Sequence, residues 1–305
     1  MSNNFKDSLS DDLVNHISAM CGRKGEEWFE ELPCIIGELE SRWQVKVAEP
    51  FPGIEYNFVA KANCQDGGPV VVKISPPLVP VEIFGEAKYL RTRRGAGAVK
   101  LLAEERDLKA ILLERALPGE ALFEAFKHAP GECVRPAIEV LRTILRSPPS
   151  DMADVVTLDG WFSNFRRYKE TDFPRDAAAK AFEIYERLST QEGRTFYLHG
   201  DFHPGNIVSS DRAPFIAIDP KGIVGHLGYD IAVFLMNLYR WQKDDPNIEQ
   251  FLDSAIFEFS EAFEFEPVEL REWAFAHTVI GAWWNYEDMP EHYDPEVAMP
   301  DIWGV

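Results

Sequence analysis

The chain has 305 residues, with 31 basic against 51 acidic residues and a formal net charge of −20 at pH 7. This charge disfavours binding to nucleic acids and anionic membranes, and it attracts small cations over long range. The start of the chain lacks the residue order of a secretory signal, and no apolar run approaches the roughly 20 residues of a membrane span. Its four cysteines show no CxxC spacing, so we expect reduced thiols and a cytoplasmic protein.

The length exceeds what one compact core usually holds, so we expect two lobes. Apolar residues at helical spacing predict an opening amphipathic helix over residues 28–43. Short strands follow, with one helix after the third of them. The predicted strands are Gln44–Ala48, Tyr56–Lys61, Val70–Ser75, Val99–Leu102 and Ala110–Leu113.

A lysine lies within the third predicted strand and a glutamate in the helix that follows. Lys73 is part of a β-branched run that reads as buried, so its charge needs a partner. Glu86 lies in the helix whose apolar face is formed by Ile83, Ala87 and Leu90. Taken alone, such a pair is more often a lysine at a sheet edge and a glutamate on a solvated helix face. In a kinase, the same pair contacts the α- and β-phosphates of the nucleotide.

A natural boundary follows the last predicted strand, because Glu114–Gly119 contains both proline and glycine. We therefore expect an N-terminal lobe over residues 1–114, which includes the N-terminal helices and covers a nucleotide. Residues 115–305 would form a catalytic and substrate-binding lobe. By position, the carbonyl of Glu114 and the amide of Ala116 are expected to contact an adenine ring.

The pattern beyond this boundary is mainly helical. The last predicted helix is rich in aromatic residues, most of which we expect in the core, while those near its C-terminal end are candidates for a pocket wall. The predicted helices are Val134–Leu145, Leu158–Lys169, Asp176–Ser189, Tyr229–Tyr239, Ile248–Phe263 and Val268–Glu287.

The segment from His199 to Asn206 has the residue types and spacing that phosphoryl transfer requires. Asp201 and Asn206 lie five positions apart, and Asp219 follows 13 positions later at the end of an apolar run. The pattern predicts a loop, a strand, a turn and a second strand that brings the three side chains together. In a kinase, such groups orient the acceptor hydroxyl and hold Mg²⁺ against the phosphates.

Two other interpretations of this segment are open from the motif alone. It could be a polar loop satisfied by its own backbone, or a transition-metal hydrolase site with His199, Asp201 and His203 as ligands. Lys73 and Glu86 favour the kinase interpretation, because a metallohydrolase has no use for them.

The segment His199–Asn206 resembles the HGDxHxxN signature of the aminoglycoside phosphotransferases. Ala217–Gly222, Tyr229-Asp230, Gly97–Leu102 and Leu112–Arg115 are similar to the streptomycin 6-kinase and hydroxyurea phosphotransferase branch. The resemblance extends from about residue 25 to Asp288. It implies an α+β, protein-kinase-like fold with two lobes, of which the N-terminal one is small and β-rich and the C-terminal one larger and mostly helical.

The resemblance also implies ATP-dependent O-phosphorylation of a small hydroxylated compound, with Mg²⁺. Asp201 would be the general base, while Asn206 and Asp219 would be the magnesium ligands. Lys73, tied to Glu86, would contact the phosphates. His199 and Asp230 would support the catalytic loop.

The phosphate-covering turn Pro52–Asn57 departs from the protein-kinase pattern, because it contains only one glycine and no GxGxxG. No Ala-Pro-Glu segment follows Asp219, which further weakens a protein-substrate interpretation.

The net charge favours a cationic acceptor such as streptomycin, with Asp159, Glu287 and Asp288 as candidate contacts to guanidinium groups. The alternatives are a metabolic or hydroxyurea-type kinase of a small hydroxylated compound, and a catalytically inactive nucleotide-binding protein.

Overall fold

The computed structural model describes residues 5–53, 56–78, 82–145, 155–288 and 301–305. The chain divides into two compact units, Met1–Ala116 and Leu117–Val305. The N-terminal unit is built on a β-sheet, and the C-terminal unit is mostly helical.

The N-terminal unit begins with two helices, α1 (Asp11–Cys21) and α2 (Arg23–Trp43). The amphipathic spacing predicted the second of them, and its apolar face packs into the core of the unit. The buried residues of this face are Trp28, Phe29, Leu32 and Leu39. The first helix was missed by the sequence prediction.

Five antiparallel strands form the sheet of this unit, in the order β1-β2-β3-β5-β4. The strands are β1 (Val45–Pro50), β2 (Phe58–Cys64), β3 (Pro69–Ile74), β4 (Leu101–Glu105) and β5 (Ala110–Glu114), with helix α3 (Ile83–Arg93) between β3 and β4 in sequence. All five predicted strands occur. The fourth, however, begins and ends later than the predicted Val99–Leu102, because its pairing with β5 continues to Glu105 opposite Ala110.

The C-terminal unit contains helices α4 (Leu122–Ala125), α5 (Val134–Leu145), α6 (Leu158–Phe165), α7 (Arg175–Leu188), α8 (Gly228–Gln242), α9 (Ile248–Phe263) and α10 (Pro267–Asp288). The helix predicted over 158–169 is α-helical only to Phe165 and continues as a 3₁₀ turn over Arg166–Glu170. Helix α10 packs against α7 and α8. Within the described ranges, no helix has the length and apolar character that a membrane span requires.

Two small sheets complete the C-terminal unit. One pairs β7 (Thr195–Leu198) with β10 (Ile223–His226), and the other has the order β6-β8-β9. Its strands are β6 (Pro118–Ala121), β8 (Ile207–Ser210) and β9 (Phe215–Ala217). The β8–β9 hairpin is the strand-turn-strand unit that the sequence predicted after Asn206. The segment after Leu113 was expected to become helical, but β6 forms there because it pairs with β8.

Candidate active site

A buried ion pair links the sheet of the N-terminal unit to its helix α3. Lys73 on β3 places its Nζ 2.7 Å from Oε2 of Glu86, and the two residues are only 5% and 3% exposed. Burying either charge alone would be costly, so each stabilises the other in this position. The structure thus brings together the two residues that the sequence analysis paired.

The other N-terminal candidates lie at the end of β5 and in the turn after β1. The Glu114 N–H donates to the carbonyl of Lys100, and its Oε2 accepts from the Lys100 N–H, both at 2.9 Å. Ala116 is the last residue of the N-terminal unit. In the predicted phosphate-covering turn, Gly53 has a left-handed φ of 68°, whereas residues 54 and 55 lie outside the described residues.

In the C-terminal unit, Asp230 fixes the loop that follows β7. Asp230 lies in the first turn of α8 and is fully buried. Its two carboxylate oxygens accept hydrogen bonds from the N–H groups of His199 and Gly200, both at 2.8 Å. Gly200 has a left-handed φ of 81°, which glycine adopts without strain. The carboxylate therefore sets the backbone of the loop directly before Asp201.

The His199 side chain joins this loop to the segment that carries Asp219. Its Nδ1 accepts from the Asp201 N–H at 3.3 Å, and its Nε2–H donates to the Ile218 carbonyl at 2.9 Å. Burial lowers the pKa of His199 to about 3, so the ring is neutral and this arrangement of donor and acceptor is stable. The His199 carbonyl also accepts from the N–H groups of Lys221 and Gly222.

Hydrogen bonds join Asn206 to Asp201 and to Ile218, the residue directly before Asp219. The Asn206 amide nitrogen donates to the carbonyl of Asp201 at 3.1 Å and to its Oδ2 at 3.3 Å. The Ile218 N–H donates to the carbonyl of Asn206 at 2.9 Å, which places Asp219 next to the residue bonded to Asn206. Asp219 has a left-handed φ of 55°. All three residues are partly exposed, so small molecules can reach them.

The geometry gives no support to a transition-metal hydrolase site. Both ring nitrogens of His199 are engaged, and Nδ1 of His203 accepts from the Gly205 N–H at 3.0 Å. Among the described residues, no group of three or more His, Cys, Asp or Glu side chains is arranged to hold a metal ion. Asn206 and Asp219 instead offer hard oxygen donors, which suit Mg²⁺ when phosphates and water supply the remaining ligands.

The family model of the aminoglycoside/hydroxyurea antibiotic resistance kinases matches residues 42–289. The chain belongs to this family. Its membership makes the chain a small-molecule phosphotransferase.

Relatives within this kinase family cover most of the chain. A streptomycin 6-kinase from Streptomyces glaucescens is 24% identical over 286 residues, which span 90% of this chain and 89% of that protein. A hydroxyurea phosphotransferase from Kitasatospora aureofaciens is 27% identical over 298 residues, which span 92% of this chain and 79% of that protein.

Solved kinases share the fold of this family member. The choline kinase LicA from Streptococcus pneumoniae matches with a TM-score of 0.60 at 15% identity, over 90% of this chain and 94% of LicA. LicA has also been solved in complex with AMP. The expected fold class, with a β-sheet N-terminal part and a helical C-terminal part, is confirmed.

Tyr229 and His277 form a buried polar contact next to Asp230, the residue that holds the loop after β7. The Tyr229 hydroxyl lies 3.1 Å from Nδ1 of His277. Burial raises the pKa of Tyr229 well above its ordinary value, and the charges of Asp201 and Asp230 add to the effect. His277 lies in the last predicted helix, whose aromatic residues were expected mainly in the core, so the sequence did not single it out. The sequence did contain a signal for Tyr229, because this residue directly precedes Asp230, which was predicted to support the loop.

The acidic residues proposed for a cationic substrate have different surroundings. Asp159 is exposed, and its Oδ1 accepts from the Tyr185 hydroxyl at 3.0 Å. Glu287 is also exposed, and it pairs with Arg167. Asp288 ends α10, and its side chain lies outside the described part of the chain. The first two carboxylates therefore already have partners within the protein.

Proposed function

We propose that this family member is an ATP- and Mg²⁺-dependent O-phosphotransferase whose acceptor is a hydroxyl group of a small cationic compound, with streptomycin as the leading candidate. The observation that carries the proposal is the hydrogen-bonded pair of Asp201 and Asn206, which follows a loop backbone held by Asp230 and is bonded to the residue before Asp219. The names of the streptomycin 6-kinase relatives and the net charge of −20 support the choice of acceptor.

In this mechanism, Asp201 orients the acceptor hydroxyl and accepts its proton. Its side chain is 35% exposed, which leaves room for an acceptor. The bonds from His199 and Asn206 fix both its backbone and its carboxylate. Because the transition state of phosphoryl transfer is loose, such positioning supplies much of the acceleration.

Asn206 and Asp219 would hold the magnesium ion. The side-chain nitrogen Nδ2 of Asn206 donates to Asp201. The side-chain oxygen Oδ1 is therefore the atom left for a cation. Together with the Asp219 carboxylate, this gives two hard oxygen donors, which fits an ion that keeps several waters. When bound, the ion neutralises charge on the nucleotide phosphates.

In the N-terminal unit, Lys73 would contact the phosphates. The carboxylate of Glu86 holds its ammonium group in one position. The carbonyl of Glu114 and the amide of Ala116 would contact the adenine ring.

A hydroxyurea-type or metabolic kinase is the second candidate. It is favoured by the hydroxyurea phosphotransferase, whose identity of 27% exceeds the 24% of the streptomycin 6-kinase. A catalytically inactive protein is disfavoured, because every residue of the proposed catalytic set is present.

An ATP-consumption screen over streptomycin, hydroxyurea and simple alcohols tests the proposal, with Asp201→Asn as the control. We expect turnover of streptomycin and a phosphorylated product that the variant does not form. Turnover of hydroxyurea or a simple alcohol, with none of streptomycin, would favour the second candidate. No turnover of any compound would refute both.

A further inference from the structure

Two indole rings of the C-terminal unit form a corner, which we call the tryptophan corner: Trp161 on α6 and Trp284 on α10. Their centroids lie 5.3 Å apart and their planes are at 86°. Both residues are partly exposed, whereas Trp273, Trp283 and Trp303 are at most 1% exposed. Aromatic rings that keep contact with solvent offer both their faces and their polar N–H groups to a ligand.

The tryptophan corner adjoins the catalytic loop through Tyr229. The Trp161 ring meets the Tyr229 ring edge-on at 5.9 Å. Tyr229 is fully buried and precedes Asp230, whose carboxylate holds the loop backbone. The start of α6 is itself fixed on β10, because the Val224 N–H donates to the Val156 carbonyl at 2.9 Å. The corner is thus connected through Tyr229 and Asp230 to the loop backbone directly before the proposed general base, Asp201.

Two described acids close in sequence to the corner, Asp159 and Glu287, are already engaged. Asp159, two residues before Trp161, accepts a hydrogen bond from Tyr185. Glu287, one helical turn after Trp284, binds the guanidinium of Arg167. A cationic ligand would have to share or displace these partners, whereas the rings of the corner can be contacted directly.

We propose that the tryptophan corner is a wall of the acceptor site and selects acceptors that carry a planar, delocalised cation such as guanidinium. The proposal rests on the proposed function and deepens it. Tryptophan is the aromatic side chain that binds cations best, and guanidinium stacks on rings while being less strongly hydrated than ammonium. The negative charge of the chain would attract the cation, and the two rings would hold it.

The test is a titration with streptomycin in the absence of nucleotide, followed by the indole N–H signals in NMR spectra. Trp161→Phe and Trp284→Phe assign the two signals. We expect both to shift on addition of streptomycin. Trp161→Leu and Trp284→Leu should each raise the Kd by about 5- to 30-fold, as expected for the loss of one cation–π contact.

Three controls separate this role from general packing. The Phe variants keep a ring in the corner and should show a smaller loss of affinity, and they keep the test valid if a Leu variant does not fold. Trp43→Leu, on α2 of the N-terminal unit, should bind streptomycin as the parent does. With neutral hydroxyurea as acceptor, the corner variants should leave KM unchanged.

Streptomycin binding equal to that of the parent in both Leu variants would overturn the inference, and so would the absence of any shift in the two indole signals. An equal loss towards streptomycin and hydroxyurea would also overturn it. Binding with shifts in both signals but without phosphorylation would refute the proposed function while supporting the corner as a cation site.

Discussion

The substitution Asp230→Asn tests how the loop that carries Asp201 is held. The Asp230 carboxylate accepts two backbone N–H groups at 2.8 Å in a fully buried position. Asparagine retains one acceptor oxygen but points its NH₂ group at the other backbone donor. A hydrogen bond to a charged group contributes about 1.5–3 kcal/mol, so we expect the free energy of unfolding to fall by about 2–3 kcal/mol. Since Asp201 follows the two bonded residues, we also expect kcat to fall at least tenfold, of the order that misplaced catalytic groups cause.

The assay is urea denaturation together with steady-state kinetics. Asp253→Asn is a matched control, because Asp253 is an exposed acid of the same unit that pairs with Arg271. Surface pairs contribute little, so this control should change the unfolding free energy by at most about 1 kcal/mol and leave kcat unchanged. If Asp230→Asn matched the control in both measurements, the loop would not depend on this carboxylate.

Two further predictions concern the N-terminal ion pair and the buried histidines. Glu86→Gln removes the carboxylate 2.7 Å from Lys73, and we expect it to lower the unfolding free energy by about 3 kcal/mol and to raise the KM for ATP. Unchanged stability and KM would contradict the role of the pair. Burial lowers the pKa values of His199, His226 and His277 to about 3, 4 and 3, respectively. Their unfolded pKa is about 6.5, so the stability they contribute is complete above that pH and is lost as the pH falls towards 4. For three protons, the slope of the unfolding free energy would reach at most about 4 kcal/mol per pH unit, and equal stability at pH 7 and pH 5 would contradict this.

Elements with a strong periodic pattern could be predicted from the sequence. Helices α5 and α9 have the predicted bounds, Val134–Leu145 and Ile248–Phe263, because each carries an apolar stripe along its length. The hairpin after Asn206 was also predicted, since its strands are apolar and a polar turn separates them.

Elements that depend on distant partners could not be predicted. Strand β6 consists of Pro118, Gly119, Glu120 and Ala121, none of which favours a strand, and it forms through pairing with β8.

Helix α1 was missed although a signal was present. Ser10 precedes it as an N-cap, and its hydroxyl accepts from the N–H of the residue three positions later.

The same distinction holds for the candidate site. The spacing of Asp201, Asn206 and Asp219 predicted phosphoryl transfer, because kinases place these groups in this order, and the family match agrees with that chemistry, while the roles of the three residues stay predictions. The tryptophan corner could not be found in this way. Its two rings come from helices far apart in sequence, and they meet only because both helices pack in the same unit.

The role of Asp201 as the general base of phosphoryl transfer is tested most directly by comparing Asp201→Asn with the parent, using ATP and streptomycin. We expect turnover to fall by about 10²- to 10⁴-fold, the usual contribution of a general base. The Kd for the magnesium nucleotide should stay within about threefold of the parent, because Asn206 and Asp219 are retained. Equal turnover in the variant and the parent would contradict the proposed mechanism.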